Sequence, residues 1–276
     1  MSRPVLDLDW PDPCLLRVGQ AWYAYATASA GTHIQVAVSD DLSHWERLGD
    51  ALPDLPSWVD EGYEWAPKVA HVDGWYNLYF AARHRDTGQQ ALGVAWGDRP
   101  EGPFTADLRP LLVGFIDPDV FCDRDGKLYI LYAGCGETSG AIWGQRLTPD
   151  GCALMGEPVR LLEVDRETER GVAEAPTLLT APNGAYVLLY SVAPFDTREY
   201  AVHWAASLDP LRPFWKPHAN ELITGRDGPG HCDVCGDTLI YHRWHGPIGY
   251  ERGGYRAAHL ARLAWDERGR PQVVEL

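Results

Sequence analysis

Three carboxylates, Asp12, Asp117 and Glu174, stand at or next to a residue that precedes proline, at one phase of a long repeat in the sequence. Such a group can cleave a glycosidic bond, because one protonated carboxyl releases the leaving oxygen while an ionised carboxylate activates water. Carboxylates gathered in one poorly solvated place raise at least one pKa, which separates the acid from the base. Each could instead cap a turn before its proline, but the shared phase favours chemistry.

The repeat that carries these groups is roughly 50 residues long, which is typical of a solenoid or a propeller. Each motif precedes an aromatic-rich strand, and the tyrosines that end these strands are separated by 54, 53, 58 and 51 residues. The five motifs are Asp12-Pro13, Trp65-Ala66-Pro67, Asp117-Pro118, Glu174-Ala175-Pro176 and Gly228-Pro229-Gly230-His231. The corresponding tyrosines are Tyr25, Tyr79, Tyr132, Tyr190 and Tyr241.

Each unit continues with a third apolar strand and with turn residues before a weaker fourth strand, while the charged stretch 163–169 is predicted to be a loop. Four short strands per unit match one propeller blade. The sequence therefore predicts an all-β, five-bladed β-propeller with four antiparallel strands per blade, in a single catalytic domain over residues 1–276. The first strand of each blade lines the central channel, so Asp12, Asp117 and Glu174 should meet at one mouth. Extended backbone is expected at Asp12 and Asp117, because each precedes a proline.

Composition narrows the classes of function. The chain of 276 residues has a formal net charge of −15, whereas nucleic acids and anionic membranes attract basic surfaces. No apolar run approaches the about 18 residues of a membrane span, and the N-terminus has no apolar signal segment. The six cysteines are then expected to be reduced thiols, in a cytoplasmic protein that binds neither nucleic acid nor membrane. The 12 Trp and 13 Tyr residues suit flat, partly apolar ligands such as sugar rings.

The motifs taken in order resemble those of glycoside hydrolase family 43, the inverting five-bladed propeller enzymes that act on glycans containing arabinose and xylose. The matching segments cover all five units: Pro11-Asp12-Pro13, Glu64-Trp65-Ala66-Pro67, Ile116-Asp117-Pro118, Glu174-Ala175-Pro176, and Gly228-Pro229-Gly230-His231 with Tyr241-His242. The resemblance implies that Asp12 is the general base and Glu174 the general acid. It implies that Asp117 raises the pKa of the acid and orients it. Inversion requires Asp12 and Glu174 to lie roughly 6.5–9.5 Å apart.

Five further residues are candidates for the site. Trp65 is expected to wall a sugar subsite, and Trp10 and Phe115 lie beside catalytic positions as further walls; core packing is the alternative for all three. Arg243 could reach a sugar hydroxyl or the acid, with a surface salt bridge as the alternative. His231 stands where the resemblance implies a channel histidine that binds calcium or its water shell. Calcium prefers oxygen ligands, so an ordinary buried histidine is the alternative there, and no organic cofactor is implied.

The predicted function is the release of terminal α-L-arabinofuranosyl units from plant-derived oligosaccharides by an inverting glycosidase, with β-D-xylosyl units as a second substrate. A β-xylosidase and an endo-arabinanase are alternatives within the family. A non-catalytic sugar-binding propeller would keep the aromatic walls without needing three carboxylates. A fructose-releasing hydrolase of the invertase type would carry an Asn-Asp-Pro-Asn start and a Glu-Cys acid motif, where this chain has Pro11-Asp12-Pro13 and Glu174-Ala175.

Overall fold

The computed structural model describes residues 3–29 and 31–275, in which five antiparallel sheets form a ring. The first strand of each sheet contacts the first strands of the sheets before and after it, in cyclic order around an axis. This arrangement confirms the predicted all-β, five-bladed propeller. The predicted domain limits at residues 1 and 276 lie outside the described residues.

Strands follow the chain order within each blade, starting at the axis and running outward. Their bounds in blades one to three are β1 (Cys14–Val18), β2 (Ala21–Ala26), β3 (Gln35–Ser39), β4 (Glu46–Asp50); β5 (Trp65–Val72), β6 (Trp75–Arg83), β7 (Gln90–Gly97), β8 (Thr105–Ala106), β9 (Leu112–Val113); β10 (Phe115–Cys122), β11 (Leu128–Gly134), β12 (Ala141–Leu147) and β13 (Leu154–Glu163). In blades four and five they are β14 (Ala173–Thr180), β15 (Tyr186–Val192), β16 (Ala201–Ser207), β17 (Glu221–Ile223); β18 (Gly230–Cys235), β19 (Thr238–His245), β20 (Tyr255–Trp265) and β21 (Pro271–Glu275).

Every blade has the predicted four strands, and blade two adds the short β9, which pairs with β7 beside β8. The helical elements of the described chain are two short 3-10 helices, Gly136–Thr138 and Tyr250–Arg252. The charged segment that follows β13 forms turns, as predicted.

The second strand of each blade supplies much of the core. The five tyrosines that mark the sequence repeat are buried, with at most 1% of their surface exposed. β11 is buried at every position, because neighbouring blades cover both of its faces. A short, continuous apolar run is the pattern that such a strand carries.

The segment before β1 joins the first blade to the last. The N–H group of Val5 donates to the carbonyl of Ala258 (2.9 Å), and that of Trp10 donates to the carbonyl of Arg256 (2.7 Å). Both acceptors belong to β20. These bonds close the ring and bring Asp12, two residues further on, against blade five.

The start of every innermost strand has the same unusual backbone. The residues at this position have positive φ angles, namely Asp12 (54°), Ala66 (45°), Asp117 (55°), Ala175 (50°) and His231 (46°). In β5, β10, β14 and β18 the residue belongs to a β-bulge, seen as a register shift against the next strand. The prediction of extended backbone at Asp12 and Asp117 is therefore wrong. A bulge re-aims side chains next to a site, and here it turns one residue per blade toward the same end of the ring.

Side chains of the preceding blade stabilise this strained conformation, which typically costs about 1–3 kcal/mol per residue. Four of the five N–H groups have left the strand ladder and donate to a buried side chain: Asp12 to His242 Nδ1 (3.0 Å), Ala66 to Thr27 Oγ1 (2.8 Å), Ala175 to Asp117 Oδ2 (2.9 Å) and His231 to Ser191 Oγ (2.8 Å). Tertiary contacts thus override the local preference of the residue before proline.

No helix among the described residues is long and apolar enough to cross a membrane. The six cysteines form no disulfide bond with one another.

Candidate active site

The three predicted carboxylates face one cavity of about 420 Å³ at the end of the ring where the bulged residues lie. All five blades contribute to its lining, which comprises Asp9, Asp12, Thr27, Ala28, Trp65, Ile116, Asp117, Glu174, Phe195, Tyr200, His231, Tyr250 and Arg256. A larger cavity of about 830 Å³ lies on blade four, but its lining includes none of the three carboxylates. The smaller cavity is therefore the candidate active site.

Asp12 is held as an ionised carboxylate. The Arg256 guanidinium donates to its Oδ1 at 2.7 Å, and the Thr27 hydroxyl donates to its Oδ2 at 2.7 Å. Burial alone would raise the pKa of Asp12, but the positive charge of Arg256, with smaller contributions from His231 and His242, brings this pKa well below its usual range. Asp12 is therefore ionised at neutral pH, the form that a general base must have.

Glu174 has the opposite environment. Its residue is second in β14 and its Oε1 accepts a hydrogen bond from the Tyr200 hydroxyl at 2.9 Å. Burial raises the pKa of Glu174 to about 7; the Tyr200 hydrogen bond and the charge of Arg256 lower it, and the negative charge of Asp12 raises it. A carboxyl with such a pKa keeps its proton at mildly acidic pH and can donate it.

Asp117 is tied to the strand that carries Glu174. Its Oδ2 accepts the backbone N–H group of Ala175 at 2.9 Å. Burial raises the pKa of Asp117 to about 7, and the charges of Glu174 and Asp12 raise it while that of His231 lowers it. Since this repulsion is mutual, a negative charge on Asp117 also favours the protonated form of Glu174.

Arg256 is the main site residue that sequence patterns did not indicate. Besides its bond to Asp12, its Nε donates to the Tyr250 hydroxyl at 2.9 Å. The guanidinium also lies 4.9 Å from the ring centre of Phe195, 5.5 Å from that of Tyr250 and 5.9 Å from that of Trp244. Aromatic rings surround a cation favourably, so this group holds a fixed positive charge beside the base.

Four other lining residues, Thr27, Phe195, Tyr200 and Tyr250, were also missed. Thr27 stands two residues after Tyr25, but the residue two after Tyr241 is Arg243, which lies outside the cavity, so the repeat gave no signal for Thr27. Phe195 and Tyr250 lie on connections between strands, where no repeat phase or periodicity marks a residue.

Of the three predicted aromatic walls, the structure places one in the cavity. Trp65, the first residue of β5, is half-buried and lines the cavity. Trp10 is fully buried in an apolar cluster between blades one and five, so it cannot touch a ligand. Phe115 packs edge-on against Tyr132 (4.8 Å between ring centres) and Trp143 (6.2 Å). The next residue, Ile116, lines the cavity instead. The core-packing alternative thus describes where Trp10 and Phe115 lie.

Arg243 also lies outside the cavity, for a reason of register. β19 pairs with β20 so that Trp244 is opposite Arg256 and Arg243 is opposite Ala257. Because side chains alternate across a sheet, Arg243 projects from the face opposite to that of Arg256. It is buried, and its Nη1 lies 3.4 Å from Oδ2 of the half-buried Asp227, so this ion pair is partly buried.

His231 lines the cavity, with Nδ1 at 3.5 Å from Asp12 Oδ1. That oxygen already accepts a bond from the Arg256 guanidinium, and a guanidinium at this place repels a second cation. Over the described ranges, no group of three or more His, Cys, Asp or Glu side chains is arranged to hold a metal ion. Calcium takes about 6–8 oxygen ligands, so the protein side chains around His231 do not form a calcium site by themselves, and a calcium ion held through its water shell stays a prediction.

Replacing Arg256 by methionine is expected to move the acid limb of the kcat/KM–pH profile upward by about 1–3 pH units, because a nearby opposite charge lowers a carboxyl pKa by that amount. Without Arg256, burial raises the pKa of Asp12 and the guanidinium charge no longer offsets this rise. The measurement is kcat/KM against pH for the wild type and the variant. Arg243→Met, which removes another buried arginine of blade five, should leave the limb in place. An unmoved limb in Arg256→Met would contradict the electrostatic role of this residue.

Comparison with known proteins supports a carbohydrate-active site. Residues 1–271 match the family model described as glycosyl hydrolases family 43. The chain is 29% identical over 254 residues to an extracellular endo-alpha-(1->5)-L-arabinanase of Thermotoga petrophila, covering 76% of this chain and 51% of that protein. It is 30% identical over 241 residues to a xylan 1,3-beta-xylosidase of a Vibrio species, covering 82% of this chain and 44% of that protein. The chain spans about half the length of these curated relatives.

Solved structures share the fold. A thermostable family-43 glycoside hydrolase matches with a TM-score of 0.86 at 27% identity, over 96% of this chain and 92% of that one. A family 43 endo-arabinanase from Bacillus licheniformis matches with a TM-score of 0.80 at 25% identity, over 96% of this chain and 98% of that one.

Proposed function

Because the chain belongs to glycosyl hydrolases family 43, we propose that it is an inverting glycosidase that releases terminal α-L-arabinofuranosyl units from plant-derived oligosaccharides. The observation that carries this proposal is the opposite environment of two carboxylates on one cavity. Asp12 has a lowered pKa beside Arg256, and Glu174 has a raised pKa through burial. Two carboxyl groups whose pKa values are pushed apart are the acid and base that glycoside hydrolysis needs.

In the proposed reaction, Glu174 donates its proton to the glycosidic oxygen as the bond from that oxygen to the anomeric carbon breaks. Asp12 takes a proton from water, and the resulting hydroxyl group bonds to the anomeric carbon from the opposite face. The sugar leaves with inverted configuration. Proton transfer from Asp12 to solvent and from solvent to Glu174 then restores the starting state. Asp117, bonded to the peptide group after Glu174, positions the acid and keeps its proton in place.

The lining of the cavity suits a sugar ring. It comes from all five blades and includes the aromatic rings of Trp65, Phe195 and Tyr250, the last two well exposed to solvent. Aromatic faces pack against sugar rings, and we infer that these rings hold one terminal unit of the substrate. Arabinose is favoured over xylose because two curated relatives, at 29% and 27% identity, are named endo-arabinanases.

An endo-arabinanase is the second candidate, and those same names favour it. A β-xylosidase is the third, since the Vibrio relative at 30% identity carries that activity in its name. All three candidates use the same carboxylates and differ only in what the walls of the cavity accept.

A panel of substrates separates these candidates. Aryl α-L-arabinofuranoside, β-D-xyloside, β-D-galactoside and fructoside are compared with linear arabino-oligosaccharides, whose products are sized by chromatography. The proposal predicts fastest turnover of the arabinofuranoside and release of single arabinose units. Release of oligosaccharides from internal bonds would favour the endo-arabinanase, turnover of the xyloside alone the xylosidase, and turnover of the fructoside alone the invertase type. Sugar binding without turnover on any substrate would favour the non-catalytic propeller.

The pH profile should fall on its alkaline side. As pH rises through about 7, Glu174 loses the proton that it must donate, so kcat/KM decreases. Asp117→Asn removes a negative charge that opposes ionisation of Glu174, so the pKa of the acid falls and the alkaline limb moves to lower pH. The measurement is kcat/KM against pH for both proteins. A limb that stays in place or moves to higher pH would show that Asp117 does not act on the acid through its charge.

A further inference from the structure

A second layer of polar side chains lies beneath the candidate active site, one from each innermost strand. Each of its members stands two residues after the positive-φ residue of its blade, and their side chains contact neighbouring innermost strands. We call this layer the axial ring; it comprises Cys14, Lys68, Asp119, Thr177 and Asp233. Four of these residues are no more than 4% exposed, and the side chain of Lys68 is 14% exposed.

Lys68 is the one cation of the axial ring and bridges two carboxylates from other blades. Its Nζ lies 2.8 Å from Asp119 Oδ1 and 2.6 Å from Asp233 Oδ1. Burial by itself lowers the pKa of an ammonium group, but the charges of Asp119 and Asp233 raise that of Lys68 well above its usual value. The side chain therefore stays positively charged.

The remaining oxygens of the two carboxylates tie the ring to further strands. Asp233 Oδ2 accepts the N–H group of Leu15 in blade one at 2.8 Å. Asp119 Oδ2 accepts the N–H group of Leu178 in blade four at 3.0 Å. Each oxygen of the two carboxylates thus has a partner, from the backbone on one side and from Lys68 on the other.

We propose that the Lys68 ammonium is the resident cation at the axis of this propeller, occupying the place that a bound metal ion would otherwise take between Asp119 and Asp233. It holds β5, β10 and β18 together two residues below Ala66, Asp117 and His231. The folded state then requires no divalent metal. Lys68 is a positioning residue, since it touches the strands beneath the cavity and does not line the cavity. This inference goes beyond the proposed function and holds whatever sugar the cavity accepts.

Removing the ammonium should turn the axis into a cation site. Lys68→Ala leaves two buried carboxylates without their partner, and breaking a buried ion pair in a protein of this size should lower Tm by roughly 10 °C. Calcium chloride or methylammonium chloride should restore at least half of that loss. Tetramethylammonium chloride at equal ionic strength should not, because it has no N–H group to donate. A side chain that acted only through packing would show no such selectivity.

Three controls complete the experiment, which reads Tm and so does not depend on the proposed activity. Wild-type Tm and kcat should be unchanged by a chelator or by added calcium. Lys127→Ala removes an exposed lysine paired with Asp125 and should respond to cations as the wild type does. If Lys68→Ala does not fold, the neutral ring Lys68→Met, Asp119→Asn, Asp233→Asn should fold without cation dependence, because asparagine oxygens can still accept the two N–H groups.

The proposal is overturned by any of three results. These are a chelator-sensitive wild type that calcium restores, a Lys68→Ala protein whose Tm responds to cations no more than that of Lys127→Ala, and a neutral ring that fails to fold.

Discussion

Glu174→Ala is expected to lower kcat/KM for arabino-oligosaccharides by about 10²–10⁴-fold, the range that a positioned general acid contributes. The loss should be far smaller for a dinitrophenyl arabinofuranoside, whose leaving group departs without a proton. This dependence on the leaving group follows from the buried carboxyl of Glu174, whose pKa of about 7 lets it supply the proton that an alkoxide needs. Steady-state kinetics with the two substrates is the measurement.

A matched control is Glu163→Ala, which removes an exposed glutamate that bonds Arg160 at the end of β13. It should leave kcat/KM for both substrates unchanged. If Glu174→Ala lost activity equally on the oligosaccharide and on the dinitrophenyl substrate, Glu174 could not be the group that protonates the leaving oxygen.

Asp12→Asn is expected to lower kcat/KM by about 10²–10⁴-fold or more on every substrate, because water must be activated whatever the leaving group is. The amide keeps an oxygen that can accept from Thr27 or Arg256, so the fold is largely retained. The amide of asparagine cannot take the proton from water. Kinetics on the same two substrates shows whether the loss is uniform.

Asp125→Asn, in the exposed turn between β10 and β11, serves as the control for this change. Its carboxylate bonds Lys127 at the surface, so kcat/KM should equal that of the wild type. A loss in Asp12→Asn that disappeared with the better leaving group would assign Asp12 to the departing oxygen and reverse the two roles.

The ring and its acidic centre were predictable because the repeat sets both. Side chains at one phase of five equivalent strands, or next to it, lie near one end of one axis, so Asp12, Asp117 and Glu174 could be placed together from the sequence. The same logic extends two residues further to the axial ring. Lys68, Asp119 and Asp233 stand at a common phase, and their opposite charges are a signal for the ion pairs that Lys68 forms with the two carboxylates.

Other features depend on contacts that the sequence does not display. Extended backbone at Asp12 was the local expectation, yet a bond from its N–H group to His242, far along the chain, holds φ at 54°. Arg243 and Arg256 belong to neighbouring strands of blade five, and only the pairing register decides which one faces the cavity. Register follows from which face of a strand is buried. Both faces of β19 and β20 are buried, so their apolar pattern does not select one register.

The configuration of the first product tests the central claim most directly. Proton NMR can follow the anomeric signal during cleavage of the aryl glycoside that the enzyme turns over fastest, before the released sugar equilibrates. With Asp12 activating water across the sugar from Glu174, the first product should have the inverted anomeric configuration. A first product with the configuration of the substrate would require a covalent intermediate and would contradict the roles assigned to both carboxylates.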